Sequence, residues 1–383
     1  MFIIENLFLF CLILVLYIYA GYPACAALLA RMAPRPVRTA EYEPFVTVII
    51  SAFNEEAYIA ETIENKLQQD YPADKLELIV ISDGSTDRTD EIVQGFAGGS
   101  VRFLLQQPRQ GKTAAVNRAV EQARGEIIVF SDANSIYQQD AIRQLLQNFS
   151  DPRVGYVTGK MMYVHMDGSL IGTGCSAYMR YENTVRRQES SFGSIVGVDG
   201  GIDAMRKSLY RPMNPDQLPD FVQPLTVVEQ GFRVIYEPRA VLKETACADQ
   251  ASEYRMRVRV SLRALWALLD KRHLLNPLAY PLFSWQLLSH KLLRYGAWLP
   301  LSVLLILNPV LARGSWFYTI LLCMQVLFYL SAYTGYRLQR QGRRAPFVFS
   351  APYYFILINL AAARAAVQFL KGHKQVLWIP RTG

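Results

Sequence analysis

The chain has 383 residues, which is enough for one large domain or two. Apolar residues make up 51% and charged residues only 19%, a balance that predicts membrane segments. The net charge of +8 is spread along the chain and often lies beside apolar segments, so it favours membrane lipids over nucleic acid as the partner. The cysteines and histidines are scattered, which argues against a disulfide framework and against a zinc site.

The first predicted element is a transmembrane anchor over residues 1–30. The stretch from Leu7 to Ala30 carries no charge and is long enough to cross a bilayer as a helix. A cleaved signal peptide is the alternative, but no basic segment precedes the run and the run is longer than a typical signal core. Arginines follow it from Arg31 onward, which predicts an outside N-terminus and a cytoplasmic continuation.

Residues 31–275 have the composition of a cytoplasmic α/β domain. Apolar segments of strand length alternate with helix-like segments, the strands at 45–51, 75–82, 101–106 and 126–131 and the helices at 55–69, 86–97 and 111–124. This alternation predicts βαβ units and a mostly parallel sheet.

The last part of the chain is apolar again. Residues 276–294 mix Trp, Tyr, Lys and Arg with Leu, which predicts an interfacial helix, with an extension of the next span as the alternative. Residues 295–370 contain three uncharged runs and predict about three transmembrane helices. Arginines at 337–346 place that connection in the cytoplasm and the turn at Arg313 outside, so the tail 371–383 would lie outside, although its positive charge disfavours this. A re-entrant or interfacial segment in place of one span is the alternative, which leaves the number of spans open. Arg364 in the last run either snorkels or faces a polar path.

Polar side chains follow three of the predicted strands. The first strand ends in Asn54 and Glu55, the second in Asp83, and the fourth in Asp132 and Asn134. Each alone is more often a turn or a helix cap, but ligands of an open parallel sheet bind at the carboxyl ends of its strands. Together they predict a nucleotide-sugar site in which oxygen ligands hold Mg²⁺ or Mn²⁺ against the diphosphate. The metal would act as a Lewis acid on the leaving group.

The segment GKT at residues 111–113 resembles the end of a phosphate-binding P-loop. The full pattern requires glycine at position 106, where Gln106 stands, so an NTPase is rejected. Gly111 and Lys112 are still predicted to open a helix near the nucleotide, with Lys112 available to an anionic ligand.

Four segments in this order carry a resemblance to a known family: VTVIISAFNEEAYIAETIENKLQQDYP, LIVISDGSTDRTDEIV, QGKTAAVNRAV and EIIVFSDANSIY. They resemble an inverting family 2 glycosyltransferase of the GT-A fold over roughly 45–270. The order of anchor, cytoplasmic domain and C-terminal spans is similar to the membrane-embedded branch that includes cellulose, chitin and hyaluronan synthases. The resemblance implies that Asp83 contacts uracil or ribose. It also implies that Asp132 and Asn134 form the DxD-type pair near diphosphate and metal, with Asn134 a weaker ligand than the usual aspartate.

Two further segments receive roles from the same resemblance. VGVDGGIDAMRKSLY is similar to a stretch near the donor sugar and acceptor, with Asp199 in place of an asparagine and Gly200 after it. Asp220 lies eleven residues before Gly231, the spacing of the family's general base ahead of GxR, although Pro219 replaces the usual preceding acid. An inverting transfer needs such a base to deprotonate the acceptor hydroxyl. The alternative role for Asp220 is a cap of the helix at 221–230.

The basic helix predicted at 252–275 corresponds to the Q-x-x-R-W region of polymerising relatives. Aligning its arginine on Arg259 puts Met256 and Val260 where Gln and Trp should be, which weakens the case for a long processive polymer. Arg257 and Arg259 are predicted to bind diphosphate, with an amphipathic helix on the membrane surface as the alternative.

The sequence therefore predicts a metal-dependent inverting glycosyltransferase in a bacterial-type inner membrane. It would move a sugar from a nucleotide-sugar, taken to be a UDP-sugar, to a glycan or lipid-linked acceptor in exopolysaccharide or cell-envelope glycan synthesis. Transfer to polyprenyl phosphate is the enzymatic alternative, because the interfacial helix suits a lipid acceptor. A nucleotide-sugar-sensing membrane protein is the alternative of another class.

Overall fold

The computed structural model describes residues 2–164, 174–245 and 250–377. Its first element is a nearly continuous apolar helix, in which α1 (Phe2–Leu16) and α2 (Tyr22–Met32) are joined by a π-helical turn, Tyr17–Gly21. The 31 residues rise about 46 Å, more than the roughly 30 Å of a bilayer core. Large apolar side chains such as Phe10 and Ile13 are exposed on it, as expected for a helix in contact with lipid.

An eight-stranded mixed sheet forms the core of the α/β domain. Its strands are β1 (Val46–Ala52), β2 (Leu76–Ser82), β3 (Val101–Leu105), β4 (Ile127–Asp132), β5 (Ile136–Tyr137), β6 (Val154–Val164), β7 (Asp203–Arg206) and β8 (Arg233–Thr245). They are ordered β3-β2-β1-β4-β7-β6-β8-β5. The first four strands run parallel, while β7 is antiparallel to both of its neighbours. The predicted strands, and with them the predicted fold class, are confirmed.

Helices cover both faces of this sheet. They are α3 (Ile59–Leu67), α4 (Thr89–Phe96), α5 (Lys112–Gln122), α6 (Ala141–Leu146), α7 (Gly174–Phe192), α8 (Pro219–Glu229) and α9 (Gln250–Asp270). Successive residues of β1 enter different cores, since Val48 and Ile50 pack on one face and Ile49 on the other. Every residue of β1 is buried, as expected for a strand in the middle of a sheet covered on two sides.

Within the described residues, five α-helices follow the α/β domain. They are α10 (Pro281–Leu287), α11 (Leu293–Tyr295), α12 (Trp298–Leu311), α13 (Trp316–Arg340) and α14 (Phe347–Leu370). Among the described residues, three helices are each long and apolar enough to cross a membrane: the N-terminal helix, α13 and α14. The α10–α12 unit adds a fourth candidate only if its bend of 53° lies within one span. The 14 residues of α12 rise about 21 Å and are short for a span on their own.

α14 corresponds to the predicted third C-terminal span and also packs on the α/β domain. Near its start, the Tyr353 hydroxyl donates to Gln250 Oε1 at the first residue of α9, at 3.1 Å. Near its end, the Phe369 ring lies 4.6 Å from the Trp266 ring, between centroids. Both ends of α14 therefore contact the same helix of the α/β domain. The apolar side chains of α14 cover part of the domain surface, and a crossing of the membrane by this helix stays a prediction.

The tail continues along the α/β domain. Trp266 Nε1 donates to the His373 carbonyl at 2.8 Å, and Lys374 Nζ lies 2.5 Å from the Asp216 carboxylate. The expectation that the tail lies on the side opposite the domain is therefore wrong for residues 371–377. The charge rule agrees with the observed position, because the basic tail and the basic 337–346 connection then share the domain's side. Residues 378–383 lie outside the described part of the chain.

Candidate active site

A small pocket opens at the carboxyl end of the parallel strands. Lys112, Asp132, Gly201 and Asp220 line it. Asp132 is the last residue of β4, Lys112 the first of α5, and Asp220 the second of α8. The strand-end rule predicted this edge, and three separate elements deliver charged groups to it.

A lysine balances the acids of the pocket. The Lys112 ammonium forms an ion pair with Asp132 Oδ1. Burial lowers the pKa of Lys112, but the carboxylates of Asp132 and Asp220 outweigh it and hold that pKa above the ordinary lysine value. Lys112 is therefore a permanent cation beside two acids, a suitable partner for a diphosphate.

The helix-cap alternative for Asp220 does not match its position. The N-cap residue of α8 is Leu218, no side-chain hydrogen bond caps the helix, and Asp220 lies inside the first turn. Burial raises the pKa of Asp220; Lys112 lowers it, Asp132 raises it and Arg263 lowers it, and the net direction is upward. A carboxylate with a raised pKa accepts a proton more readily near neutral pH.

Two glycines allow the backbone to reach both acids. Gly200 and Gly201 have φ angles of +76° and +74°, in the left-handed region that glycine favours. A Cβ at Gly200 would lie 2.7 Å from Asp220 Oδ2, and one at Gly201 would lie 3.6 Å from Asp132 Oδ2. The backbone of residues 200 and 201 thus forms a wall of the pocket. A residue with a side chain at either position would block the pocket.

Asp83 is next to this pocket but is occupied within the chain. It is fully buried, its Oδ1 accepts the Gln106 amide at 2.6 Å and the Gln110 N–H at 2.8 Å, and its Oδ2 accepts the Gly111 N–H at 2.9 Å. These bonds fix the loop that ends at Lys112. The contact with uracil or ribose stays a prediction, while the positioning of Lys112 is visible.

Asn54 and Glu55 hold a neighbouring loop. Asn54 has a φ of 53°, its Oδ1 accepts the Thr86 N–H at 2.8 Å, and its own N–H donates to Ser85 at 3.1 Å. The Glu55 N–H donates to Thr89 Oγ1 at 2.8 Å. Both residues therefore connect the end of β1 to the loop before α4, and their predicted contact with the nucleotide stays a prediction.

Two more predicted residues lie at the edges of the site. Asn134 is half-buried in the turn after β4, two residues beyond Asp132. Asp199 lies 2.5 Å from the Arg186 guanidinium, and both side chains are almost completely buried. Asp199, the residue before Gly200, is thus held by this ion pair and is not among the residues that line the pocket.

The two arginines that are predicted to bind diphosphate, Arg257 and Arg259, lie beside different sites. Arg259 acts electrostatically on Asp220 and lowers its pKa. Arg257 forms an ion pair with Glu253 at 2.9 Å and lines a separate cavity. Residues two apart on a helix differ by about 200° around its axis, so they cannot face the same ligand.

Sequence reasoning missed three residues at this site. Arg263 donates to Thr113 Oγ1 at 3.1 Å and joins α9 to the start of α5. Tyr156 lines the pocket from β6. Asp203 is fully buried on β7, and burial, with further contributions from Asp220 and Asp199, raises its pKa well above the ordinary value. The spacing of Arg263, four residues after Arg259, was the available signal.

The geometry can now be compared with known proteins. The family described as Glycosyl transferase family 2 matches residues 47–212, which include Asp83, Lys112, Asp132 and Gly200. These residues form a family 2 glycosyltransferase domain. The predicted resemblance is confirmed, and the domain belongs to a class of enzymes.

Curated relatives of this glycosyltransferase domain include polysaccharide synthases. Poly-beta-1,6-N-acetyl-D-glucosamine synthase of Staphylococcus aureus strain COL is 27% identical over 202 residues, which are 51% of this chain and 48% of the relative. The Staphylococcus epidermidis protein of the same name is 24% identical over 242 residues, 60% of this chain and 58% of the relative. The chain thus spans about half the length of the curated relatives that it matches.

One solved structure is similar to the glycosyltransferase along nearly its whole length. It is a mannosyltransferase from Pyrobaculum calidifontis, solved in complex with GDP-Man and Mn²⁺. The TM-score is 0.72 at 24% identity, and the match covers 95% of this chain and 99% of the other. The two chains share a fold that includes the apolar helices as well as the domain.

The glycosyltransferase site offers part of a coordination shell for a divalent cation. Asp132 and Asn134 present oxygen donors of the type that Mg²⁺ and Mn²⁺ accept. Within the described ranges no group of three His, Cys, Asp or Glu side chains could hold a metal. A cation at this edge therefore fits if substrate oxygens complete its shell, which is how Mg²⁺ is usually held beside phosphates.

Proposed function

We propose that this chain is an inverting glycosyltransferase that moves a sugar from a nucleotide-sugar to a glycan or lipid-linked acceptor. The observation that carries the proposal is the shared pocket of Lys112, Asp132 and Asp220 at the carboxyl edge of the sheet. One pocket then contains a cation for the diphosphate, an acid for the metal and an acid for the acceptor.

In this mechanism Asp220 is the general base. It accepts the proton of the acceptor hydroxyl while the acceptor oxygen bonds to the anomeric carbon of the donor sugar. The bond from that carbon to the nucleoside diphosphate breaks on the opposite side, which inverts the anomeric centre. Lys112, which is paired with Asp132 in the same pocket, would supply a counter-charge to the departing diphosphate.

Asp132 and Asn134 would hold the divalent cation, Mg²⁺ or Mn²⁺. The bound cation would supply Lewis-acid stabilisation of the leaving nucleoside diphosphate. Because Asn134 is a neutral ligand, the site would bind the cation less tightly than a pair of aspartates and would depend more on the diphosphate oxygens.

The donor and the membrane are proposals as well. We take the donor to be a UDP-sugar and the location to be an inner membrane, with the domain on its cytoplasmic face and a product in exopolysaccharide or cell-envelope glycan synthesis. The staphylococcal relatives, named as polymer synthases of N-acetylglucosamine, support this reading. The apolar helices support the membrane location.

The test is donor consumption by the purified full-length chain in detergent. The chain is incubated with Mg²⁺ or Mn²⁺ and a panel that includes UDP-N-acetylglucosamine, UDP-glucose and GDP-mannose, and nucleoside diphosphate release is measured. We expect one donor to be consumed above the others and the release to stop on chelation. Release that continues in full after exhaustive chelation would refute the role of the metal.

The sensor alternative is separated by the substitution Asp220→Asn. An enzyme should lose about 10²- to 10⁴-fold in turnover, because general base catalysis contributes that much, while its donor affinity stays. Asp216→Asn is the matched control, since Asp216 lies in the preceding loop and pairs with Lys374. If the unchanged chain and the Asp220→Asn variant both bind the donor and neither shows turnover, the chain is a binding protein.

A further inference from the structure

A second cavity, of about 90 Å³, lies between the catalytic domain and the C-terminal helices. Its wall includes three cations, Arg257, Lys291 and Arg294, and a single carboxylate, Glu182. The cavity therefore attracts an anion. None of these four residues lines the pocket of Asp220.

The cations of this cavity are held in place. Arg294 is paired with Glu182, and Arg257 with Glu253 at 2.9 Å. Both guanidinium groups also lie on the ring of Tyr178, at 5.4 and 5.5 Å from its centroid. Lys291 forms no salt bridge within the described parts of the chain, so its ammonium is available to a ligand. An anion entering the cavity would meet one free cation and two that are already oriented.

An apolar cleft of about 430 Å³ adjoins the cavity. Its walls come from α1, α12, α13 and α14, through side chains such as Phe8, Leu301, Phe328 and Leu360. Asn359 lines both the cleft and the cavity, so the two spaces lie on either side of this one residue. A charged space thus lies next to an apolar one, an arrangement that fits a ligand with an anionic head and a hydrocarbon chain.

The cavity is also close to the candidate base. Lys291 Nζ lies against Gly197, and Asp220 lies against Gly200. Gly197 and Gly200 are three residues apart, so their Cα atoms are separated by at most about 11 Å. One headgroup and one sugar can bridge this distance between the two sites.

We propose that the cavity binds the phosphate of a lipid-linked acceptor and that the apolar cleft takes its hydrocarbon chain. The role as acceptor rests on the proposed function, whereas the binding of the lipid phosphate does not.

The test measures binding to the full-length chain in detergent by a titration with farnesyl phosphate. Farnesol and inorganic phosphate serve as the two halves of the ligand. We expect farnesyl phosphate to bind at least about tenfold more tightly than farnesol, and inorganic phosphate not to displace it at equal concentration. Equal binding of the alcohol, or full displacement by inorganic phosphate, would overturn the proposal.

Variants of Lys291 locate the site. Lys291→Gln should weaken farnesyl phosphate binding about tenfold and leave farnesol binding unchanged, while Lys291→Arg should retain the affinity. The matched control is Lys371→Gln, which removes the same charge from the exposed residue just after α14. Nucleoside diphosphate binding, measured in parallel, shows that each variant is folded. An unchanged affinity in a folded Lys291→Gln chain would place the lipid elsewhere.

The two proposals fail in different ways. A chain that binds farnesyl phosphate but consumes no nucleotide-sugar would refute the proposed transfer and retain the lipid site. A chain that consumes nucleotide-sugar but binds farnesol and farnesyl phosphate alike would refute the lipid site alone.

Discussion

At the scale of single residues, burial raises the pKa of Asp220 and Lys112 opposes this rise. Because Lys112 lowers the pKa of Asp220 and burial raises it, the loss of the lysine charge should move that pKa further up. A base acts when deprotonated, so activity should fall as pH falls through this pKa. We expect the acid limb of kcat/KM to move to higher pH in Lys112→Met and to stay in Lys112→Arg.

The pH profile of nucleoside diphosphate release measures this shift. Lys271→Met is the control, because Lys271 pairs with Glu229 at the far end of α8, at 2.5 Å. An acid limb that does not move in Lys112→Met would mean that another group is titrating.

Asp203 makes a separate prediction about stability. It is fully buried, forms no salt bridge within the described residues, and has a pKa well above the ordinary aspartate value. A group whose pKa is raised by folding stabilises the protein at low pH and loses that contribution as pH rises through the folded-state pKa. Asp203→Asn should therefore raise the free energy of unfolding at neutral pH by about 1 kcal/mol or more.

Thermal unfolding in detergent across a pH series would test this effect. The difference between the variant and the unchanged chain should grow as pH rises. A variant that is less stable at every pH would show that the carboxylate is needed for the fold.

At the scale of elements, the carboxyl edge of the sheet was predictable and the partners along it were not. Asp132 and Asp220 meet because parallel strands end at one edge and because α8 begins there. Two of the partners of Asp83 are backbone N–H groups of the following loop, those of Gln110 and Gly111, which no side-chain pattern records. Arg257 and Arg259 could have been separated by helix periodicity, and the prediction that they act together overlooked it.

The glycine turn before β7 gives a prediction with a built-in control. Gly200 and Gly231 both have positive φ, of +76° and +83°, so alanine at either should cost about 1–2 kcal/mol of backbone strain. Only at Gly200 would the new Cβ meet the Asp220 carboxylate, at 2.7 Å, whereas at Gly231 nothing lies within 4 Å.

Both Gly200→Ala and Gly231→Ala should therefore lower the melting temperature, and Gly200→Ala should do so at least as much because its Cβ also meets Asp220. Only Gly200→Ala should reduce turnover, by tenfold or more. Comparable activity in the two variants would exclude close packing of residue 200 on the base.

At the scale of the whole molecule, composition predicted the membrane segments but not their paths. A run of apolar residues indicates that a helix is shielded from water, and either lipid or protein can provide that shielding. α14 uses both, since Ala361 and Ala365 pack on Val258 and Leu262 of α9 while Leu360 borders the apolar cleft. The predicted tail position followed from treating every such helix as lipid-facing, while the third C-terminal span stays a prediction.

This packing predicts which loops share a side of the membrane. The connection after α13 lies beside α9, since Gln250 Nε2 donates to Gln339 at 3.2 Å, and the tail contacts the domain through Lys374. The turn at Arg313 lies at the other end of α13, a helix of 25 residues that rises about 37 Å. Arg313 should therefore lie across the membrane from the domain, with 343 and 374 on the domain's side.

Single cysteines placed in a cysteine-free chain would test this arrangement in sealed vesicles of known orientation, with a membrane-impermeant maleimide as the label. Lys75→Cys marks the domain, and we expect Arg343→Cys and Lys374→Cys to be labelled from the same side as it. Arg313→Cys should be labelled only from the other side. If Lys374→Cys were labelled from the same side as Arg313→Cys, α14 would cross the bilayer. Its contacts with α9 would then be lost in the membrane. The basic tail would then lie outside, against the distribution of Lys and Arg that orients membrane proteins.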